Sequence, residues 1–537
     1  MARLPLISVI TPVYNPGAEV LQACIDSVRN QTYGRWELCL VDDASPDGHV
    51  WPILERAMVD GPRIRLIRRE VNGGIIAASN DAARMATGDV ITLLDHDDLL
   101  TPDALQRVAE TFAADPEVDY VYSDEDVLDM EGRLIEPFFK PDWSPERFRT
   151  QMYTCHLSSI RRRLFDEVGG FRPGFDGSQD WDLILRVTER ARKVVHIPEV
   201  LYHWRIVPTS VLAGEHVKPY AYEAGLRALA EHCERIGLDG APEELDTGYR
   251  GYYRVRRRIS DRPLVSIVIP TRGTSGRVWG VERVMVVEAV RSVVGASTWD
   301  NLEIVVVADV ETPPDVIDEL RAIAGDRLRL VWWEHPFNFS AKCNLGAAHA
   351  RGDVLVFLND DTEVITPDWI ETLYGFARED DVGAVGCVLL FEDGRLQHGG
   401  HVLLGGNPGH LMFGQSPTSP ANRMALSIDR EVSGVTAAAM MMRRDVFDAV
   451  GGFCPAFPGN FNDVDLCAKV RAAGHRIVVT PHARLYHFES VSRDPSIDPA
   501  ETALLRSRWW DDLHRDPYYN PNFTPGLDNY PMPTYYP

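Results

Sequence analysis

Short apolar runs of strand length recur along the first half of the chain: Leu6–Ile10, Leu38–Val41, Ile64–Ile67 and Val90–Leu94. They are rich in Val, Ile and Leu at consecutive positions rather than alternate ones, the pattern of strands buried on both faces of a parallel sheet. Longer mixed segments with helical spacing separate them, such as Ala18–Asn30 and Pro102–Ala114. Thr101 is placed to cap the second of these, with Pro102 at its first helical position. Strand and helix alternate, so the pattern predicts an α/β fold.

The pattern then repeats. SVITP at Ser8–Pro12 returns as SIVIP at Ser266–Pro270, and ELCLVDD at Glu37–Asp43 as EIVVVAD at Glu303–Asp309. Asn80 with Gly88-Asp89 returns as Asn344 with Gly352-Asp353. LLDHDD at Leu93–Asp98, VGGF at Val168–Phe171, QDWDL at Gln179–Leu183 and LYH at Leu201–His203 return as FLNDDT, VGGF, NDVDL and LYH, the last at Leu485–His487. Order is kept throughout, so one large domain is present twice. The expected division is a first domain over 1–240, a linker over 241–262, a second domain over 263–515 and a Pro- and Tyr-rich tail over 516–537. The tail is expected to pack along the second domain; a disordered or partner-binding segment is the alternative.

Composition narrows the class. With 537 residues, 45% hydrophobic and 25% charged, the chain reads as a multidomain globular protein. A formal net charge of −24 argues against a nucleic-acid partner. The basic run Arg254–Arg258 is either a solvated linker face or a membrane or polyanion contact. Eight scattered cysteines without CxxC spacing read as reduced core residues. No signal peptide is visible. The longest apolar stretch, Val382–Phe391, is far shorter than the roughly 20 residues of a membrane-spanning helix. A cytoplasmic protein with at most a peripheral membrane contact is expected.

Polar residues gather at the carboxyl ends of the expected strands, where open α/β sheets bind ligands. The first strand runs into Thr11-Pro12-Val13-Tyr14-Asn15, the second ends at Asp42-Asp43, and the fourth at Asp95-His96-Asp97-Asp98. In extended chain, residues i and i+2 point the same way, so Asp95 and Asp97 can face one divalent cation. Mg²⁺ or Mn²⁺ favours such oxygen ligands and shares its shell with substrate phosphates. No Walker-type phosphate loop is present.

TPVYN, VDDAS, DHDD and QDWDL together resemble family 2 glycosyltransferases of the GT-A fold, and the likeness covers both halves. FNFS, LNDDT, DGRLQHGG, NDVDL and DPYYNPNF are similar to the second domains of tandem bacterial enzymes that build O-antigen and other surface polysaccharides. The resemblance implies two Rossmann-like nucleotide-diphospho-sugar transferase domains with mostly parallel sheets. It implies donor binding by Pro12, Tyr14, Asp43 and Asp95, and by Pro270, Asp309 and Asp360. Asp97 with His203, and Asp361 with His487, are implied as metal ligands for Mn²⁺ or Mg²⁺, and Asp180 and Asp463 as general bases. Trp181 is placed either against an acceptor sugar or in the core. The implied reaction is an inverting sugar transfer from a UDP- or dTDP-sugar to a glycan or lipid-linked glycan. The second copy departs at Ala308, Asn359 and Arg272-Gly273, which favours two sites of different donor choice over one active and one vestigial domain. A nucleotidyltransferase is the enzymatic alternative, but neither copy opens with its Gly-rich basic loop. A glycan-binding assembly scaffold is the non-enzymatic one.

Overall fold

The computed structural model describes residues 4–207, 219–419, 421–488 and 497–523. Among the described residues the chain divides into two compact units, one built on 4–143 and Gln151–Val255, the other on Ser144–Thr150 and 256–523. The short helix Pro145–Thr150 therefore belongs to the second unit although its sequence lies inside the first copy.

Each unit is a mixed sheet flanked by helices, and the strand order is the same in both. In the first it runs Ile64–Arg68, Trp36–Asp42, Ile7–Val13, Val90–Leu93, Ser159–Arg161, Val118–Leu128, Lys193–Arg205, Leu99–Leu100. In the second it runs Leu328–Trp333, Leu302–Asp309, Val265–Thr271, Val354–Leu358, Ala439–Arg443, Val382–Leu390, Arg476–His487, Thr362–Val364. The first four strands of each order are parallel, with Ile7 opposite Trp36 and Val90, and Val265 opposite Leu302 and Val354. Both first strands are buried at every position. In each unit the order reverses at the first strand, and this opens a crevice at the carboxyl ends.

Several repeated residues prove to be structural. A side chain on Gly88 would sit 2.6 Å from the Leu6 carbonyl and the Ser8 hydroxyl, and one on Gly352 would sit 2.2 Å from the Leu264 carbonyl. Only glycine lets these turns approach the first strand. The gap is closed by Gly88 N–H to Ser8 Oγ (2.8 Å), with Ser8 donating to Glu37 (2.6 Å). Gly352, Ser266 and Glu303 repeat the chain at 2.9 and 2.6 Å. Asn80 clasps the VGGF turn by two bonds to the Phe171 backbone, and Asn344 does the same to Phe453.

The segment 241–262 is folded. Gly240–Glu244 pairs with Tyr253–Arg257, and Tyr253 packs on Trp181, 5.1 Å between centroids. Trp181 is thus a core residue, only 4% exposed. Within the basic run, Arg254 is buried and Arg257 turns inward onto Glu146 (2.7 Å) and Glu379 (2.9 Å), so these two arginines are not part of a solvated basic face. Beyond residue 497, the helix Pro499–Trp509 and the following turn pack on the second unit, where Asp516 accepts from Leu403 N (2.8 Å) and Ser433 Oγ (2.6 Å). The eight cysteines are free thiols. Among the described residues no helix is long and apolar enough to cross a membrane.

Glu146 is fully buried and held by Arg257 and Arg149. Removing one cation strands much of that buried charge, which costs about 3 kcal/mol. Arg257→Met should lower the unfolding free energy of the second unit by about that amount in urea titrations. A loss below about 0.5 kcal/mol would show that the remaining cations, Arg149 and Arg476, suffice.

Candidate functional site

In the first unit the strand Ile7–Val13 delivers Pro12 and, just beyond it, Tyr14, whose ring is 49% exposed. Asn15 adopts a left-handed conformation (φ 53°), and its amide and side chain bond Ser45 Oγ and Asp47 N, which joins the loops after the first two strands. Asp43 is buried there. Its carboxylate accepts from Gly73 N (2.9 Å) and Gly74 N (2.8 Å) and pairs with Arg69 (2.9 Å). Asp43 therefore fixes the Asn72-Gly73-Gly74 turn at the crevice edge.

The Asp95–Asp98 turn sorts its acids by burial. Asp98 is 1% exposed and accepts from Tyr202 Oη (2.5 Å) and Arg205 N (2.8 Å). Asp95 and Asp97 are only partly buried. Asp95, Asp98 and His156 each offer a ligand atom within 4.8 Å of the others. His156 stacks on Tyr202 (4.3 Å) and bonds Glu125 (3.2 Å), which also holds Lys140 (3.0 Å). Burial opposes its charge, but Glu125, Asp98 and Asp95 outweigh burial and push the imidazole up to about 9. A cation is thereby fixed among the carboxylates.

Asp180 opens the helix Gln179–Thr188. Burial, and then the negative charge of Asp95, raise it to about 6. The other acid of QDWDL, Asp182, is buried on Arg172 and Arg186 and is structural. His203 places Nδ1 2.5 Å from Asp126 Oδ1, and among the described residues no hydrogen bond or ion pair joins it to Asp97.

The second unit uses the same positions with other partners. Pro270 lies buried in the first strand, opposite Val307. Asp309 pairs with Lys342 (2.6 Å) and faces Arg272 (3.7 Å). Asp360 accepts from Thr271 (2.6 Å) and is raised to about 7 by burial and by Asp361. Asp361 and His487 are brought together at 3.3 Å, with Asn359 3.2 Å from the same imidazole nitrogen. Asp463 opens the helix Asn462–Ala472. Burial would raise it, but His401, Thr436 and the Ala437 amide together hold it well below the usual carboxylate range. Asp465, like Asp182, is buried, here on Arg508 and Trp509. His401 Nε2 lies 3.7 Å from Asp463, and His398, His401 and His410 each offer a ring nitrogen within 4.8 Å of the others.

Sequence reasoning missed His156, Glu125, Lys140, Lys342 and the roles of His401 and His410. Lys342 carried a signal: at the repeat offset it stands where the first copy has Ala78, three residues after FNF. His156 carried none, because tertiary packing alone brings it to Asp95.

Each unit thus brings a helix-opening aspartate and strand-end acids to the carboxyl ends of its sheet. The model of the glycosyl transferase family 2 matches residues 8–169 and 266–451, and the chain belongs to that family; it is a glycosyltransferase. It is 42% identical over 535 residues to the uncharacterized protein y4gI of Sinorhizobium fredii, covering 96% of this chain and 57% of that one. It is 37% identical over 530 residues to the O-antigen biosynthesis protein RfbC of Myxococcus xanthus, covering 98% of this chain and 41% of that one. A chondroitin synthase of Escherichia coli is 32% identical over 243 residues, 44% of this chain and 34% of the synthase. The chain thus spans about half the length, or less, of these relatives. Among solved structures, residues 1–349 of S. aureus TarS with UDP-GlcNAc align at 21% identity and a TM-score of 0.35, over 42% of this chain and 66% of that one.

The two helix-opening aspartates should respond oppositely to neutralisation. Asp180 binds its proton more tightly folded (about 6) than unfolded (roughly 3.9), so its stabilisation is complete below pH 4 and lost as pH rises through 6. Asp180→Asn should therefore leave stability nearly unchanged at pH 4 and raise it by about 3 kcal/mol at pH 7.5. Asp463, lowered in the fold, contributes above its unfolded pKa, so Asp463→Asn should destabilise at pH 7.5. Urea titrations at both pH values check this; two shifts of the same sign would contradict the assigned environments.

Proposed function

We propose that each unit performs its own inverting transfer of a sugar from a nucleoside-diphosphate sugar, a UDP- or dTDP-sugar, to a growing surface glycan such as an O-antigen. The observation that carries the reading is the placement of Asp180 within electrostatic reach of Asp95, with Asp463 opening the equivalent helix of the second unit. An acceptor hydroxyl is a poor nucleophile near neutral pH. Asp180 or Asp463 takes its proton as the oxygen attacks the anomeric carbon, and the bond to the diphosphate breaks on the opposite side. Asp43 and Asp309 shape the base end of the crevice, with Pro12 and Tyr14 or Pro270 beside them.

The donor sets fit Mn²⁺ or Mg²⁺: carboxylates of Asp95 and Asp97 in the first unit, Asp361 with the His487 imidazole in the second. Asp126 on Nδ1 of His203 is the arrangement that orients an imidazole toward a cation at Nε2. When bound, the cation offsets the charge that gathers on the departing nucleoside diphosphate. The chain itself contributes His156 at Asp95 and Lys342 at Asp309 as further positive charge. The acceptor is a glycan or lipid-linked glycan, met on the cytoplasmic face of the membrane by a peripheral protein.

Asp180→Asn and Asp463→Asn should each stop a different step and reduce it by about 10²–10⁴-fold. Mass spectrometry of the acceptor should show one variant halting after a single added sugar and the other adding none. Products from Asp463→Asn identical to those of the unmodified enzyme, formed at the same rate, would end the two-site reading. The step that needs Asp180 should fall with unit slope below about pH 6, where its base is protonated, while the Asp463 step should show no such loss between pH 5 and 7.

A further inference from the structure

The second unit carries a hairpin that the first lacks. In the first unit the strand ending at Val13 leads through residues 14–17 into the helix from Ala18. In the second, Thr271 is followed by Ser275–Val278 paired with Val281–Val284 before the helix from Met285. Trp279 and Gly280 form its two-residue tip, both at positive φ (48° and 76°). That turn favours Asn-Gly, and a bulky aromatic residue at left-handed φ is strained. The tryptophan is nevertheless held in place: its backbone N–H donates to Glu392 Oε1 and its indole N–H to the Glu392 carbonyl (3.0 Å). The residue remains 40% exposed.

Strain, exposure and anchoring coincide at one wall of a cleft of about 780 Å³. Trp279, Phe391, Phe413 and Phe488 supply its aromatic surface, and Phe413 is 38% exposed. Glu392, Arg395 and Gln415 supply polar groups beside those rings. Rigid aromatic rings next to hydrogen-bonding side chains match a pyranose, whose ring C–H groups are apolar and whose rim is hydroxylated. An acyl chain would leave the polar groups unpaired. Asp393 and Arg395 neutralise one another (2.6 Å), and Glu392 is engaged by Trp279, so nothing here selects a polyanion. The cleft also adjoins the candidate centre, since Phe488 follows His487 and its N–H donates to the Asp361 carbonyl (2.9 Å).

We propose that this cleft is a binding site for a neutral glycan chain, held by stacking on Trp279 and Phe413, which anchors the acceptor in the second unit at sugars away from the reacting end. The assignment rests on the transferase reading for its role, though not for the binding itself. Anchoring a long acceptor this way lets remote sugars position the reacting hydroxyl.

The test uses the full chain on an array of immobilised neutral oligosaccharides released from bacterial surface polysaccharides, with donor hydrolysis of the unmodified protein measured alongside. The unmodified protein should bind glycans on the array. Trp279→Ala should weaken that binding roughly tenfold, and Trp279→Phe should restore most of it. Phe413→Ala serves as a second variant should Trp279→Ala unfold, as read by circular dichroism. Absence of binding to any glycan, or equal binding by folded Trp279→Ala and Phe413→Ala, overturns the proposal. Donor hydrolysis without glycan binding refutes the cleft alone. Glycan binding through Trp279 without donor hydrolysis upholds the cleft and refutes the catalytic reading.

Discussion

Carboxylates crowd the ends of a parallel sheet in a chain of net charge −24, and the structure depends on how each is compensated. A buried carboxylate without partners is expensive, so it acquires donors, acquires a cation, or holds its proton. All three solutions occur within one crevice. Asp98 takes hydroxyl and amide donors, Asp43 takes two amides and Arg69, and Asp180 answers burial by a raised pKa. Asp95 and Asp97 stay only partly buried and are the least enclosed acids of the turn.

This division explains what could be read from sequence and what could not. Strand runs and their order were legible because burial on both faces writes a continuous apolar signal, and duplication wrote it twice. The repeated Gly88 and Gly352 were visible as a pattern, but their reason, a missing Cβ against the first strand, is a contact between segments some 80 residues apart. Within QDWDL the two acids look alike in sequence. In the helix they sit roughly 200° apart, and one turns to arginines while the other turns to the crevice. The basic run from Arg254 carries no local mark of burial, yet Tyr253, Arg254 and Val255 are all buried and Arg257 pairs with a buried glutamate. His156 was beyond reach, for nothing local marks it.

The two copies hold one backbone plan while exchanging the charges that serve it. The carboxylate after the second strand is met by Arg69 in one unit and by Lys342 from a helix in the other. The strand Val118–Leu128 buries Asp119, Asp124, Glu125 and Asp126, whereas its counterpart Val382–Leu390 is apolar. Glu125, Asp98 and Asp95 favour the charged form of His156 in the first unit. The second has Ala438 at the matching position and sets His401 3.7 Å from Asp463 instead, with His398 and His410 clustered on His401.

Such exchanges are coupled, because a crevice tolerates only a narrow range of net charge. Without a His156 equivalent, the second unit has Asn359 where the first has Asp95, which removes one negative charge from the same turn. With Asp463 lowered by His401, it retains an ionised carboxylate at acidities where Asp180 is already protonated. The charge missing at Asn359 is thus matched by the imidazole missing at Ala438, and the two positions touch: the Asn359 N–H donates to the Ala438 carbonyl (3.0 Å).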